Sequence, residues 1–329
     1  MGNHLFFVPC ALLMRRQRLP ELKLGDLRTH SLFDRPSKVQ AGQLGRPGGT
    51  GATVAALIDG LPDQLAARSL RAWIQAVADA VRRDTAVLAA LGGHVIKTGC
   101  APYLIDWIQR GVLTGVCMAG SAAIHDVELA LAGRTSEDVE ARLPDGSFGM
   151  TRETAAFFAA ATADAAARGV GLGEALGKRL LQSQCQSPEA SLLRAAAAAE
   201  IHCTVHVGMG TDIVHMHAAV DGAALGAAAL ADFRLACRMV AGVGGGVWMN
   251  LGSAVLLPEV FLKAVSVAHN LGHDLAGVTT VDLDMIRQYR ARVNVLERHH
   301  CQAISITGHH EIVIPLVHAA VVDGLQKSK

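Results

Sequence analysis

The sequence has no excess of either charge: among its 329 residues, 30 basic and 29 acidic side chains leave a formal net charge of +1. A protein that grips nucleic acid or lies on an anionic membrane needs a basic field, so neither is an expected partner. There is no Cys-x-x-Cys pair, and the seven cysteines are odd in number (Cys10, Cys100, Cys117, Cys185, Cys203, Cys237 and Cys301), several of them in apolar runs. That spacing argues against a disulfide framework and a finger-type zinc site, and buried free thiols in a reducing, cytoplasmic setting are expected. No apolar run is long enough to cross a bilayer. Leu5 to Met14 is short and has its charges, Arg15, Arg16 and Arg18, behind it, whereas a signal peptide carries them in front. Also missing are HExxH, G-x-S-x-G and a strict GxGxxG opening the first βα unit. Zincin spacing, a hydrolase elbow and the usual dinucleotide fingerprint are therefore absent.

What is present is core material. Hydrophobic residues make up 51% of the chain and charged residues 18%, enough for a packed interior. Residues 1–34 are expected to be an N-terminal extension and 35–329 a single α/β domain. Apolar runs at Val87–Leu91, Val112–Ala119, Cys203–Val207, Val247–Leu251, Val278–Val281 and Ala303–Ile306 read as strands. Helical spacing covers Leu61–Val81, Pro102–Gln109, Glu153–Ala167, Leu172–Leu181, Ser191–Glu200, Ala231–Val240, Pro258–Ala268 and Glu311–Leu325, while 132–149 reads as a polar loop excursion. Strands that are continuously apolar and alternate with helices predict a mostly parallel, doubly wound sheet with helices on both faces. Ligands of such sheets bind outside the carboxyl ends of the strands.

Five strand ends carry unusual residues: Gly92 to Gly99, Met118 to Ser121 with His125-Asp126 behind it, His206 to Asp212 with His215 and His217 beyond, Asn250 to Ala254, and Ser305 to Glu311. Small residues after buried strands let a flat or phosphorylated ligand approach the backbone. Tight packing of a turn explains any one of them, but five in one chain point to a nucleotide cleft. Asp212 is an acid in an apolar setting that needs a partner or a role, such as holding a ribose hydroxyl or an ammonium group. Glu259, behind Pro258 in a first turn, is either functional or a helix-dipole carboxylate. Lys97 is a candidate for phosphate contact or imine formation, against a plain solvated lysine. Of the 15 histidines, His215-x-His217 and His309-His310 resemble metal ligands, and His-x-His on a strand would place both rings on one face. Without a fixed ligand spacing no metal is assigned. Ligand contact, proton transfer or core hydrogen bonding remain open for these rings.

Taken in order, these segments resemble the deoxyhypusine synthase family from about Arg35 to Leu325. Val95 to Gly99 is similar to that family's first nucleotide loop. Ala119-Gly120, with His125-Asp126 behind, resembles its Ala-Gly-Gly turn. Gly210-Thr211-Asp212 is similar to its Thr-Asp-Gly turn, Gly252-Ser253-Ala254 falls at its triple glycine, and Ile306 to His309 at its late cofactor pair. The resemblance implies a Rossmann-like fold, NAD as cofactor, a small amine or polyamine substrate, and a homotetrameric transferase. It implies cofactor contacts at Thr98, Gly99, Ala119, Gly120, His125, Asp212, Gly252, Ser253 and Gly308, and the residues themselves offer Lys97, His217, Glu259, His309 and His310 as candidate catalytic groups. The family's imine-forming lysine, from a Trp-Gly-Lys motif, has no counterpart here: Arg290 to Cys301 contains neither Lys nor Trp. Arginine stays protonated and cannot substitute, which argues against hypusine formation. The expectation is NAD-dependent hydride or aminoalkyl transfer. The alternatives are a non-catalytic NAD-binding protein and a metal-dependent enzyme using His215, His217, His309 and His310.

Overall fold

A computed structural model describes residues 20–299 and 301–326. Leu5 to Met14 and Cys10 lie outside the described residues. Two compact units are distinguished, residues up to Gly42 and residues from Gln43 onward. The described residues of the first are all exposed, with a 3-10 turn at Leu24–Asp26.

The second unit begins with α1 (Val54–Gly60) and α2 (Leu65–Arg82), then β1 (Val87–Leu91), α3 (Gly93–Lys97), α4 (Ala101–Gln109), β2 (Gly115–Ala119), α5 (Gly120–Ala132) and α6 (Val139–Arg142). It continues with α7 (Arg152–Arg168), α8 (Leu172–Gln182), α9 (Leu192–Ala198), β3 (His202–His206), α10 (Gly222–Ala241), β4 (Val247–Leu251) and α11 (Leu256–Asn270). It closes with β5 (Thr279–Asp284), α12 (Tyr289–Ala291), a π-helical turn (Arg292–Glu297), β6 (Gln302–Thr307) and α13 (His310–Gln326).

The six strands form one parallel sheet in the order β3-β2-β1-β4-β5-β6. The fold class read from the sequence is the one observed. In β1, β2 and β4 all five residues are buried, because side chains of alternate residues enter two different cores. Val87, Ala89 and Leu91 join Val116, Met118, Val247 and Met249 on one face, against Trp73 and Val77 of α2, Leu104 of α4, Ile124 of α5 and Val317 of α13. Leu88, Ala90, Cys117 and Trp248 face the other way, onto Ala236 and Val240 of α10 and Leu257 and Phe261 of α11. Six free cysteines are described, four of them buried.

The order reverses between β1 and β4, so a crevice at the sheet's carboxyl edge is expected there and beside it. Two differences from the sequence reading bear on that edge. The glycine turn after β1 is the start of α3, and the small-residue stretch after β2 opens the 13-residue helix α5. Seven residues of α5 are buried along one broad side, and several of them are small (Gly120, Ala122, Ala123 and Ala130), so the sequence shows no clear apolar period of the kind that marks a surface helix. Also, His215 and His217 lie in and just after the 3-10 turn Ile213–Met216 and not on a strand, so their rings do not share a sheet face.

Candidate functional site

A cavity of about 240 Å³ opens at the carboxyl ends of β1, β2 and β3, bounded by Lys97, Ser121, His125, Glu128, Glu137 and Asp212. Lys97 ends α3, Ser121 to Glu128 come from α5, Asp212 follows β3, and Glu137 belongs to the polar excursion between α5 and α7. Three residues singled out in the sequence, Lys97, His125 and Asp212, thus share one space.

α5 starts without a side-chain cap, leaving its first-turn N–H groups for water or a ligand. Gly120 is glycine because of Asp212: a Cβ there would lie 2.1 Å from Asp212 Oδ2. Asp212 is 8% exposed. It accepts from the His215 backbone N–H in a capping box, and His215 Nδ1 accepts in return from Asp212 N at 3.3 Å. Asp212 Oδ2 is buried with no hydrogen-bond partner among the described residues. Burial raises the pKa of this carboxyl, with nearby His215 opposing. An unsatisfied buried carboxylate oxygen is costly, and a hydroxyl or ammonium donor from a ligand would relieve that cost.

His125 sits in a chain of hydrogen bonds. Its Nδ1 is 2.7 Å from Thr135 Oγ1, and Thr135 Oγ1 donates to Glu128 Oε2 at 2.6 Å. Thr154 Oγ1 donates to the other oxygen, Oε1, at 3.0 Å. Burial lowers the pKa of the imidazole, Glu128 opposes this, and Lys97 and His94 add to it. The excursion is pinned at Gly149, whose N–H donates to Glu137 Oε2 at 2.8 Å and whose carbonyl is 2.9 Å from His217 Nε2. His217 therefore holds the excursion in place.

Asp126, next to His125, is spent on structure. It accepts from Ser191 Oγ at 2.6 Å, Leu192 N at 2.6 Å and Leu193 N at 3.1 Å, capping α9 in the interior.

The β4–β6 half of the edge has a different character. A Cβ on Gly92 would lie 1.9 Å from Gly252 O, and one on Gly252 would lie 2.8 Å from His310 Nε2. Ser253 Oγ accepts from Leu257 N at 3.2 Å, serving as a cap within α11's approach. Asn250 Nδ2 donates to Asp282 Oδ1 at 2.8 Å and to Ser253 O at 3.0 Å. Burial pushes the Asp282 carboxyl up to about 6, against the pull of the Asn250 bond. His310 is fully buried, with Nε2 3.3 Å from Leu283 O and its ring 5.7 Å from that of His94. His309 lies outside this packing, 62% exposed at its side chain and 3.8 Å from Glu311.

Glu259 is engaged elsewhere. It pairs with Lys263, with Arg290 at 2.9 Å, and accepts from Asn294 Nδ2 at 2.8 Å. These contacts, Lys263 first, hold its carboxyl below the ordinary range. The stretch in which the resemblance would place a lysine therefore supplies arginine and asparagine to an ion-pair network.

Thr98 donates its hydroxyl to His94 O at 2.9 Å, closing α3. Gly99 has φ +81° with open space around it, and Gly308 lies where a Cβ would meet Val313. Among the described residues no three His, Cys, Asp or Glu side chains are grouped as a metal ion requires. The four histidines weighed as a metal cluster have separate partners, which overturns that alternative. Sequence reasoning missed Glu128, Thr135, Glu137 and Thr154. The available signal was the spacing of His125 and Glu128, three apart on one helix face.

The fold is that of the deoxyhypusine synthase-like proteins. A protein assigned by inference as a deoxyhypusine synthase, from Entamoeba histolytica, superposes with a TM-score of 0.50 at 10% identity, covering 83% of this chain and 94% of that one. Unliganded AgrE superposes with a TM-score of 0.50 at 13% identity, covering 81% of this chain and 34% of AgrE. ArgZ, an arginine dihydrolase from cyanobacteria, gives 0.48 at 13% identity, covering 79% of this chain and 31% of that one. The chain thus spans about a third of the length of AgrE and ArgZ. At these identities the likeness is one of fold. No family profile matches the chain, and no curated protein matches it. No helix among the described residues is long and apolar enough to cross a membrane.

Proposed function

We propose that this protein is an NAD-dependent enzyme acting on a small amine, by hydride or aminoalkyl transfer, with the substrate in the cavity between α3, α5 and the excursion. The observation that carries the reading is Asp212: a buried carboxylate oxygen without a partner, beside the uncapped start of α5, at the carboxyl edge of a parallel sheet ordered 3-2-1-4-5-6. Such an oxygen suits a ribose hydroxyl or an ammonium group, and uncapped N–H groups suit phosphate or other anions. NAD, when bound, supplies the hydride acceptor. The chain's own groups orient the ligand, keep water out and move protons. Two fold neighbours lend support: the protein assigned as a deoxyhypusine synthase, and AgrE, which has been crystallised with ornithine and NAD+.

Of the cofactor contacts expected from the sequence, His125 and Asp212 line the candidate space, with Gly120 packed against Asp212 and Ala119 immediately before the start of α5. Gly252 and Ser253 are occupied with internal packing, so cofactor contacts concentrate on the β1–β3 half. The absent family lysine removes the covalent relay at that position, and Lys97 is the cavity's own amine. Hypusine formation is not proposed. A homo-oligomer, a tetramer by the family pattern, is the proposed assembly.

Calorimetric titration of metal-free protein with NAD tests the reading. Saturable binding near one site per chain, weakened about tenfold or more in Asp212→Ala, is the expected result. No heat at millimolar NAD would overturn it.

A further inference from the structure

We infer that His125 is the proton-transfer group of the cavity, presented through Nε2, and that Thr135 and Glu128 are the positioning residues that fix it. Thr135 has one hydroxyl proton, and the 2.6 Å contact gives that proton to Glu128 Oε2. An ionised carboxylate has no proton to return. The 2.7 Å contact to His125 must therefore be donated by the ring, as Nδ1–H···Oγ1. A neutral imidazole with its proton on Nδ1 carries its lone pair on Nε2. The opposite ring edge lies toward the end of β1, because a Cβ on Gly93 would stand 3.4 Å from His125 Cδ2, and His125 bounds the cavity.

The chain continues to Thr154, which donates to Glu128 Oε1 at 3.0 Å and is 3% exposed. Both carboxylate oxygens are thus occupied, and the carboxylate is fixed. This is a base–orienter arrangement with a hydroxyl interposed. In the step, the ligand's N–H or O–H bond breaks, its electron pair stays on the ligand, and the proton goes to Nε2. The imidazolium that forms still donates through Nδ1 to Thr135, and the negative charge of Glu128 stabilises it through the hydroxyl. The reverse step returns the proton. No oxidant is needed for this transfer. The charged and titratable groups facing the ring are Glu128 on its own helix and Lys97 and His94 on α3, with Glu137 and Asp212 across the cavity.

The inference takes the cavity as the ligand site of the proposed function but does not depend on NAD. The test is nitrogen-15 NMR of histidine-labelled full-length protein, with His125 assigned by comparison with His125→Gln, in the absence of any ligand. Wild type is expected to show a neutral His125 protonated at Nδ1 at pH 7. Thr135→Val is expected to abolish the tautomer preference, and Thr135→Ser, which keeps the hydroxyl, to restore it. Glu128→Gln removes the facing negative charge, so the protonation midpoint of His125 falls by about one pH unit. Diethyl pyrocarbonate, which acylates the unprotonated ring, should then modify His125 faster at pH 5.5 than in wild type. An Nε2–H tautomer in wild type would sink the inference. So would a tautomer and midpoint left unmoved by both Thr135→Val and Glu128→Gln while the Thr135→Ser protein stays folded. If the tautomer is found and NAD does not bind, the cofactor reading fails and this one stands.

Discussion

The two halves of the sheet's carboxyl edge use the same kinds of residue to opposite ends. On the β4–β6 side, Gly92 admits the Gly252 carbonyl, Ser253 caps a helix approach, and Asn250 holds Asp282. Glycine, serine and a buried acid there close the structure on itself. On the β1–β3 side, Gly120 admits the Asp212 carboxylate, α5 starts uncapped, and Asp212 keeps an oxygen without a partner. There the same chemistry leaves donors and acceptors over. Residue type at a strand end does not separate packing from binding. Hydrogen-bond saturation alone does not separate them either, since Asn250 Oδ1 and His310 Nδ1 on the β4–β6 side are also buried without partners among the described residues; on the β1–β3 side the unpartnered acid also lines a cavity.

The comparison can be broken most forcefully at Gly92. Gly92→Ala drives a methyl into the Gly252 backbone, and a loss of roughly 3 kcal/mol or more is expected in urea denaturation. A loss under about 1 kcal/mol would mean the closed half can give way. Gly99→Ala, at φ +81° in open space, should cost only about 1 kcal/mol.

Asp282 sharpens the contrast through pH. Its carboxyl stands at about 6 in the fold against an ordinary 3.8, and the residue is 3% exposed. A group raised on folding contributes stability below pH 3.8 that is lost as pH rises through about 6. Wild type should therefore lose up to about 3 kcal/mol relative to Asp282→Asn between pH 4 and 7. Parallel stability curves for the two proteins would show that burial of this acid is not felt.

Asp212, whose carboxyl burial also raises, is predicted to matter to a ligand more than to stability. Asp212→Asn removes an unpartnered buried charge, so stability at pH 7 should change by no more than about 1 kcal/mol in either direction, while ligand affinity falls. A large loss of stability would place Asp212 with the closed half. Smallest of all, Glu259→Gln loosens contacts to Lys263 and Arg290 at a partly exposed site and should cost less than about 1 kcal/mol in thermal denaturation.

The sheet was legible in the sequence because its strands are buried on both faces. Val87–Leu91 and Val247–Leu251 are five-residue apolar runs whose observed limits match the reading. α5 was not legible: its opening small residues imitate a turn, so His125 and Glu128 do not stand out as neighbours on one face. Thr135 lay in a polar stretch with no periodicity to mark it. Glu259 and His309 stand in suggestive places along the chain, but a one-dimensional reading cannot show that Arg290, Asn294 and Lys263 already occupy Glu259. Position in order carried the fold and half of the cavity. Which side chains line a common cavity and which are tied into packing decided the rest.

The excursion between α5 and α7 is fastened at Gly149 by Glu137 and His217, while among the described residues the side-chain hydrogen bonds between those fastenings, of Asp138 with Ala141 N and of Asp145 and Arg142 with Ser147, stay within the excursion. The rim of the cavity is thus a removable part on a fixed mount. Exchanging residues 138–147 for a segment of another length or charge would retune what enters without rewriting the sheet, the relay or the helix caps beneath it.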